Sequence, residues 1–314
     1  MTAFFEQMFF APKWYHLPII LLLLPFSILY GVLMSLRRML VAKNDLGIPI
    51  VSVGNLVVGG SGKTPFVIAL ASRFKNVAII SRGYGRKSQG LVEVSQNGEI
   101  LVDVTQSGDE PMLMAISLSQ ASVIVSEDRH KAIELAKEQG AKLIILDDGF
   151  NRVDIKKFEI LLEPQDIKNY LPFPAGAFRE FYFNRKYADV IVKEDDDFKR
   201  VVSFEDLRER MVLVTAISNP ARLDRYLPEG VVEKVYLEDH AYFDEQILKT
   251  ILEEHTASSV LCTSKDKVKM EGFKLPISEM KLKLEIKNEI FKKIEDYIEG
   301  YRSEKKYRSG KDAP

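Results

Sequence analysis

The dominant feature of the hydrophobic pattern is an unbroken apolar run over residues 17–36, LPIILLLLPFSILYGVLMSL, with no charged side chain. Twenty helical residues rise roughly 30 Å, about the thickness of a bilayer's hydrocarbon core. Arg37, Arg38 and Lys43 follow at once, whereas Lys13 is the only Lys or Arg before the run. That bias puts the C-terminal side in the cytoplasm. Trp14, Tyr15 and Tyr30 suit a membrane interface. A removed signal peptide fits poorly, since no short basic start or small-residue cleavage pattern is present. Pro25 takes one hydrogen-bond donor out of the run. The pattern predicts a membrane-associated helix within residues 1–40. A single span is the first reading; an in-plane or re-entrant helix and a buried core helix stay open beside it.

From residue 48 the pattern changes to short β-branched runs alternating with helical periods, the mark of a parallel sheet with crossover helices. Strands are expected at 50–53, 77–80, 122–125, 143–146 and 159–162, and helices at 64–74, 110–118 and 129–139, with Gly140 closing the last. Runs 91–94 and 99–102 flank Asn97-Gly98, a hairpin turn. The charged stretch 193–200 reads as a linker, after which a second α/β unit runs from a strand at 211–216 through 260–262 to a helix near 288–300. Residues 301–314 read as a frayed polar tail. The expected organisation is thus an anchor over 1–40, an α/β core over 41–200 and a smaller α/β domain over 201–314.

Composition narrows the classes. The 314 residues are 46% hydrophobic and 28% charged, ordinary globular values that exclude a disordered or fibrous chain. Forty-four Lys and Arg against 45 Asp and Glu give a net charge of −1, so nucleic acid is not an expected partner. The lone Cys262 cannot form an intrachain disulfide, and with four histidines a closed zinc site is not expected.

The chemical signal is SVGNLVVGGSGKTP (52–65), which follows a buried-type strand and opens a helix. Glycines there let backbone N–H groups surround phosphates at a helix N-terminus. Gly59, Gly60, Ser61, Gly62, Lys63, Thr64 and Pro65 are the candidate ATP-binding residues. Lys63 would reach the β- and γ-phosphates and Thr64 would ligate Mg²⁺. Val57 stands where the general pattern has glycine, so the first turn of the loop must differ. Asp147 and Asp148 end the apolar run 143–146, where a P-loop enzyme keeps its metal-side carboxylate. The fold class is therefore α/β, a P-loop NTPase-like, mostly parallel sheet with helices on both faces. Arg82, Arg86, Lys87 and Arg129 follow strands and suit phosphate contacts, against the alternative of a solvated basic rim. Ser107-Gly108-Asp109-Glu110-Pro111 reads by itself as a helix start, with Asp109 as its N-cap.

Taken in order, GNLVVGGSGKTP, SRGYGRK (81–87), GDEP (108–111), SEDR (126–129), DDGF (147–150) and PAGAFRE (174–180) resemble the tetraacyldisaccharide 4′-kinase family. The resemblance is strong over residues 48–190. It implies ATP- and Mg²⁺-dependent phosphorylation of the 4′-hydroxyl of an acylated disaccharide 1-phosphate, a lipid A precursor held in the bilayer, at the cytoplasmic face of the inner membrane. It implies that Asp109 is the catalytic base, that His240 of the Asp239-His240 element pairs with it, and that Glu110 joins Thr64, Asp147 and Asp148 around the metal. Arg82, Tyr84, Arg129, Arg179 and Glu180 then become substrate-binding candidates, the last two near the anchor. The Thr263-Ser264-Lys265-Asp266 element belongs to the domain that covers the nucleotide. The chain departs from the family at Asn151-Arg152, where Gln-His is usual, and at Ser218, where glycine is usual. No obligate protein partner is expected. The alternative is a membrane-associated P-loop ATPase or GTPase switch with no lipid acceptor.

Overall fold

The structure, a computed structural model, describes residues 2–58, 62–165 and 167–311, and side chains within 4–305. The chain forms two compact units, each assembled from separated stretches: 1–63, 142–198 and 286–314 in the first, 64–141 and 199–285 in the second. The sequence pattern suggests contiguous parts divided at 40 and 200.

Helices α1 (Thr2–Phe10) and α2 (Leu17–Leu40) come first, followed by β1 (Ile50–Gly54), α3 (Lys63–Ala71) and β2 (Val77–Ser81). The hairpin strands β3 (Val92–Gln96) and β4 (Glu99–Ile100) precede α4 (Val104–Ser107), α5 (Asp109–Ser117), β5 (Ser122–Val125), α6 (Arg129–Glu138) and β6 (Leu143–Asp147). Strands β7 (Phe158–Leu162), β8 (Val190–Val192), β9 (Phe198–Glu205), β10 (Met211–Thr215) and β11 (Val231–Tyr236) come next. The chain closes with α7 (Glu245–Glu254), β12 (Ser259–Thr263), α8 (Ser264–Lys267), β13 (Ile277–Ile286) and α9 (Asn288–Lys311).

In the first unit β6, β1, β7 and β8 run parallel, with Ile50 opposite Ile144, Val51 opposite Phe158 and Ile160 opposite Val190. β1 and β6 are buried at every residue, as their continuous apolar sequences require of a two-sided parallel sheet. Leu56, Val57, Phe150, Leu161, Ala177 and Phe178 pack into one cluster beside them. Residues 301–311 of the expected frayed tail are instead the end of α9, and 312–314 lie outside the described residues. That helix returns to β1 and β7, where Ile50 N–H donates to the Tyr297 hydroxyl (3.3 Å) and the Tyr297 ring lies 5.2 Å from Phe158.

α2 keeps its helix through Pro25, and four of its residues are buried: Ile20, Ser27, Gly31 and Arg38. Their spacing puts them on one stripe, and the stripe packs on the protein itself. Ile20 joins Met8 and Ala175, and the Ser27 hydroxyl donates to Pro172 O at 2.6 Å. At Gly31 a Cβ would sit 2.7 Å from the Phe181 ring, so only glycine allows this approach. The opposite face is bare, with Leu21, Leu22, Leu29 and Leu33 all exposed.

In the second unit β2 and β5 are parallel while β3 and β4 add antiparallel beyond β5. A separate sheet has the order β11-β10-β12-β13-β9, parallel from β11 to β13. The expected linker 193–200 is only partly one. From Phe198 the chain is β9, whose alternating burial matches the period of FKRVVSFE. Buried Asp266 ties this sheet's loops together, accepting from the Thr215 and Thr263 hydroxyls (2.6 and 2.7 Å) and from Ala216 N–H (3.0 Å).

Candidate active site

In the first unit the chemistry gathers where β1 and β6 end. The Lys63 ammonium, at the start of α3, donates to Asn55 Oδ1 at 3.2 Å and lies 3.4 Å from Asp148 Oδ1. The Arg179 guanidinium donates to the other Asp148 oxygen at 2.8 Å. Burial would raise the Asp148 pKa, but Lys63 and Arg179 outweigh it and hold the carboxyl below its ordinary value. Asp147 is buried at the end of β6. The phosphate-loop residues Gly59, Gly60 and Ser61 lie outside the described residues. Gly62 has φ +73° and opens α3. Thr64 and Pro65 occupy the first turn of α3, the Thr64 side chain nearly buried.

In the second unit Asp109 and His240, 131 residues apart, meet directly: His240 Nδ1 lies 3.0 Å from both Asp109 carboxylate oxygens. The N-cap of α5 is Gly108 rather than Asp109, and no side chain caps that helix. Gly108 has φ +85°, and a Cβ there would come 2.9 Å from Tyr84 O. Glycine thus lets the SRGYGRK turn press against the start of α5 and leaves the Asp109 carboxylate free to face His240. Lys269 Nζ (3.4 Å) and Lys265 Nζ (3.6 Å) flank the same carboxylate. Burial would raise the Asp109 pKa, but the His240 hydrogen bond and the two ammonium groups hold it far below the usual carboxylate range. The hydrogen bond to Asp109 in turn raises the His240 pKa above 6.5. Tyr84 is exposed, with its ring 5.6 Å from that of His240, and Arg82 is exposed on the same turn.

Other expected site residues have different work. Arg129 is buried; its guanidinium donates to Ser81 O at 2.9 Å and also to Ser126 O. Glu180 is buried and accepts from Arg38 (2.9 and 2.6 Å) and Asn184 (2.8 Å), so it holds structure rather than a sugar. Arg86 is tied to Glu127 at 2.6 Å. Glu110 lies 3.2 Å from Lys265 and is its counter-ion here. Sequence reasoning missed Asn55, Lys269 and Arg38. Asn55 stands inside the quoted loop motif, whereas Lys269, which also donates to Ala241 O beside His240 at 3.0 Å, belongs to no motif.

Oxygen donors suited to a hard cation are present in the Thr64 hydroxyl and Asp147. Among the described residues no three His, Cys, Asp or Glu groups converge on one point. Thr64 and Asp147 each offer a hard oxygen donor of the kind Mg²⁺ takes, the ion binding one or two protein oxygens and completing its shell with phosphates and water.

A family model described as tetraacyldisaccharide-1-P 4′-kinase (LpxK) matches residues 19–299. The chain is 46% identical over 300 residues to a tetraacyldisaccharide 4′-kinase of Helicobacter acinonychis (strain Sheeba), covering 95% of this chain and 96% of that protein. It is 41% identical over 307 residues to the enzyme of that name from Aliarcobacter butzleri (strain RM4018), covering 95% and 97%. A crystal structure of LpxK from Aquifex aeolicus in complex with ATP superposes with a TM-score of 0.76 at 31% identity, covering 89% of this chain and 99% of that one.

Proposed function

The chain belongs to the tetraacyldisaccharide-1-P 4′-kinase family, and from that premise we propose how its own residues perform the reaction. The enzyme is an ATP-dependent kinase of lipid A biosynthesis that phosphorylates the 4′-hydroxyl of a tetraacyldisaccharide 1-phosphate. The hydroxyl oxygen bonds to the γ-phosphorus, the bond from that phosphorus to the β–γ bridging oxygen breaks, and ADP leaves. The hydroxyl proton passes to the Asp109–His240 pair.

The observation that carries this reading is the Asp109–His240 contact. A sugar hydroxyl is a poor nucleophile at neutral pH and needs an acceptor for its proton within hydrogen-bond reach. Asp109 is the carboxylate that accepts this proton in the proposed reaction, and His240 with the two flanking ammonium groups holds it ionised and in place. Lys63 neutralises charge that builds between the β- and γ-phosphates, and Arg179 keeps Asp148 paired when Lys63 turns to phosphate. Thr64 and Asp147 would hold Mg²⁺, which when bound screens the phosphate charges. Arg82 and Tyr84 meet the acceptor's head group.

The acceptor explains the hydrophobic helix. Each buried methylene is worth about 0.8 kcal/mol, so a tetraacylated substrate stays in its bilayer and the enzyme must work at the surface. By length and composition the helical stretch Trp14–Leu40, which contains α2, is apolar enough to enter a membrane. A helix whose stripe from Ile20 to Arg38 is covered by its own protein cannot be ringed by lipid. That supports the in-plane arrangement over a span, with Leu21, Leu22, Leu29 and Leu33 in the acyl region. The requirement for ATP and the positive charges after the run support the cytoplasmic face of the inner membrane.

Incubating the full chain with γ-labelled ATP and the disaccharide 1-phosphate in mixed micelles tests the reading. Labelled lipid is expected; release of free phosphate alone would turn the assignment toward the ATPase switch.

A further inference from the structure

Arg38 ends the apolar helix, yet its head group does not reach for water. It is buried, its guanidinium donating to both oxygens of Glu180 (2.9 and 2.6 Å) and to Phe150 O (3.1 Å) and lying 4.2 Å above the Phe150 ring. An interfacial arginine that only anchors a helix extends its charge to the head groups. Arg38 points inward.

Each of its partners continues into the phosphate machinery. Phe150 closes the turn that begins with Asp147 and Asp148. Glu180 follows Arg179, whose N–H donates to Leu56 O at 2.7 Å and whose guanidinium holds Asp148, the carboxylate that also faces Lys63. Val58 N–H donates to Ala177 O at 2.9 Å, so the segment leading into the phosphate loop is stitched to the segment that carries Glu180. The pair is buried, so deleting one charge would leave the other desolvated and unpaired.

We propose that Arg38 is a positioning residue for phosphoryl transfer: from the end of α2 it fixes Phe150 and Glu180, and through them the placement of Asp148, Arg179 and the entry to the phosphate loop. The proposal rests on Lys63 and Asp148 serving the phosphates. It makes the membrane helix a part of the nucleotide site rather than a detachable tether.

The test uses full-length Arg38→Ala, Arg38→Lys and Gly31→Val. The last keeps Arg38 but drives a side chain into Phe181, lifting the docked face of α2. Phosphotransfer in mixed micelles, co-sedimentation with phospholipid vesicles, binding of a fluorescent ATP analogue without lipid, and thermal unfolding are measured together. Arg38→Ala is expected to lower kcat at least about tenfold, since catalytic misplacement near 1 Å costs up to about 10²-fold. KM for the lipid and vesicle binding should hold, because the apolar face is untouched, and ATP-analogue binding should weaken. Arg38→Lys should recover only part, since an ammonium lacks the guanidinium fork. Wild-type kcat in Arg38→Ala, or a loss matched by an equal loss of vesicle binding, overturns the proposal. If Arg38→Ala does not fold, unchanged kcat in both Arg38→Lys and Gly31→Val overturns it instead. A wild-type protein that binds the analogue but labels no lipid refutes the kinase reading, and analogue binding by the variants then decides the role of Arg38.

Discussion

His240 Nδ1 sits equidistant, at 3.0 Å, from the two carboxylate oxygens of Asp109. The ring therefore faces the whole carboxylate and supports its charge, and the carboxylate in turn raises the pKa of the ring.

The pH dependence of stability follows from that pair. His240 has a raised pKa, so its contribution is complete below its ordinary 6.5 and is lost as pH rises through the raised value. Asp109 has a lowered pKa, so its contribution is complete above its ordinary 3.8 and is lost as pH falls through the lowered value. The stability difference between wild type and His240→Ala should be largest between those ordinary values and shrink at alkaline pH. Urea unfolding of both proteins across pH checks this; a difference that grows above pH 8 contradicts it. Asp109→Asn should also bring the His240 titration, followed by NMR, back down, and should lower kcat strongly. Full activity in Asp109→Asn would remove Asp109 from the chemistry.

Lys63→Ala should lower kcat by at least about 10²-fold, the scale of losing one charge-stabilising donor in the transition state. Asp148 would then keep Arg179 as its cation, so the fold should survive. Steady-state kinetics with circular dichroism as the control make the measurement.

Asp266→Ala removes the shared acceptor of two hydroxyls and a backbone N–H in a fully buried place. Leaving buried donors unsatisfied costs about 1–3 kcal/mol for each group, so a loss of about 3 kcal/mol or more is expected by denaturant titration. Asp266→Asn should lose less, because its amide oxygen still accepts.

The proposed in-plane placement of α2 has a labelling signature. Cys262 is buried, so Trp14→Cys and Leu40→Cys supply the accessible thiols in sealed membrane vesicles. An impermeant maleimide should reach both from the same side, whereas labelling from opposite sides would establish a span. Leu22→Asp combined with Leu29→Asp should release the protein from vesicles, since each buried leucine is worth about 1.5–3 kcal/mol.

Local pattern made much of the fold legible. β5 falls at the four residues expected, because SVIV is a short β-branched run between turn signals. The linker reading of 193–200 overlooked the alternation of FKRVVSFE, which its charges disguise. The continuation of α9 to Lys311 was hidden by a polar sequence that has no apolar stripe to announce a helix. For the site, the phosphate loop is contiguous and could be read from spacing. The Asp109–His240 contact joins residues too distant for any periodicity to relate, and only the family resemblance pointed to it. The inward turn of Arg38 had no signal, since an arginine after an apolar run reads as an interfacial charge.

The docking of α2 also sets an order of events during synthesis. Its stripe packs on Pro172, Phe181 and Glu180, which leave the ribosome roughly 7–30 s after the helix at about 5–20 residues per second. For that interval the apolar run has no protein surface to cover it. On the proposed in-plane reading the lipid bilayer covers it first, and the segments around the phosphate loop pack afterwards against a helix already held at the membrane.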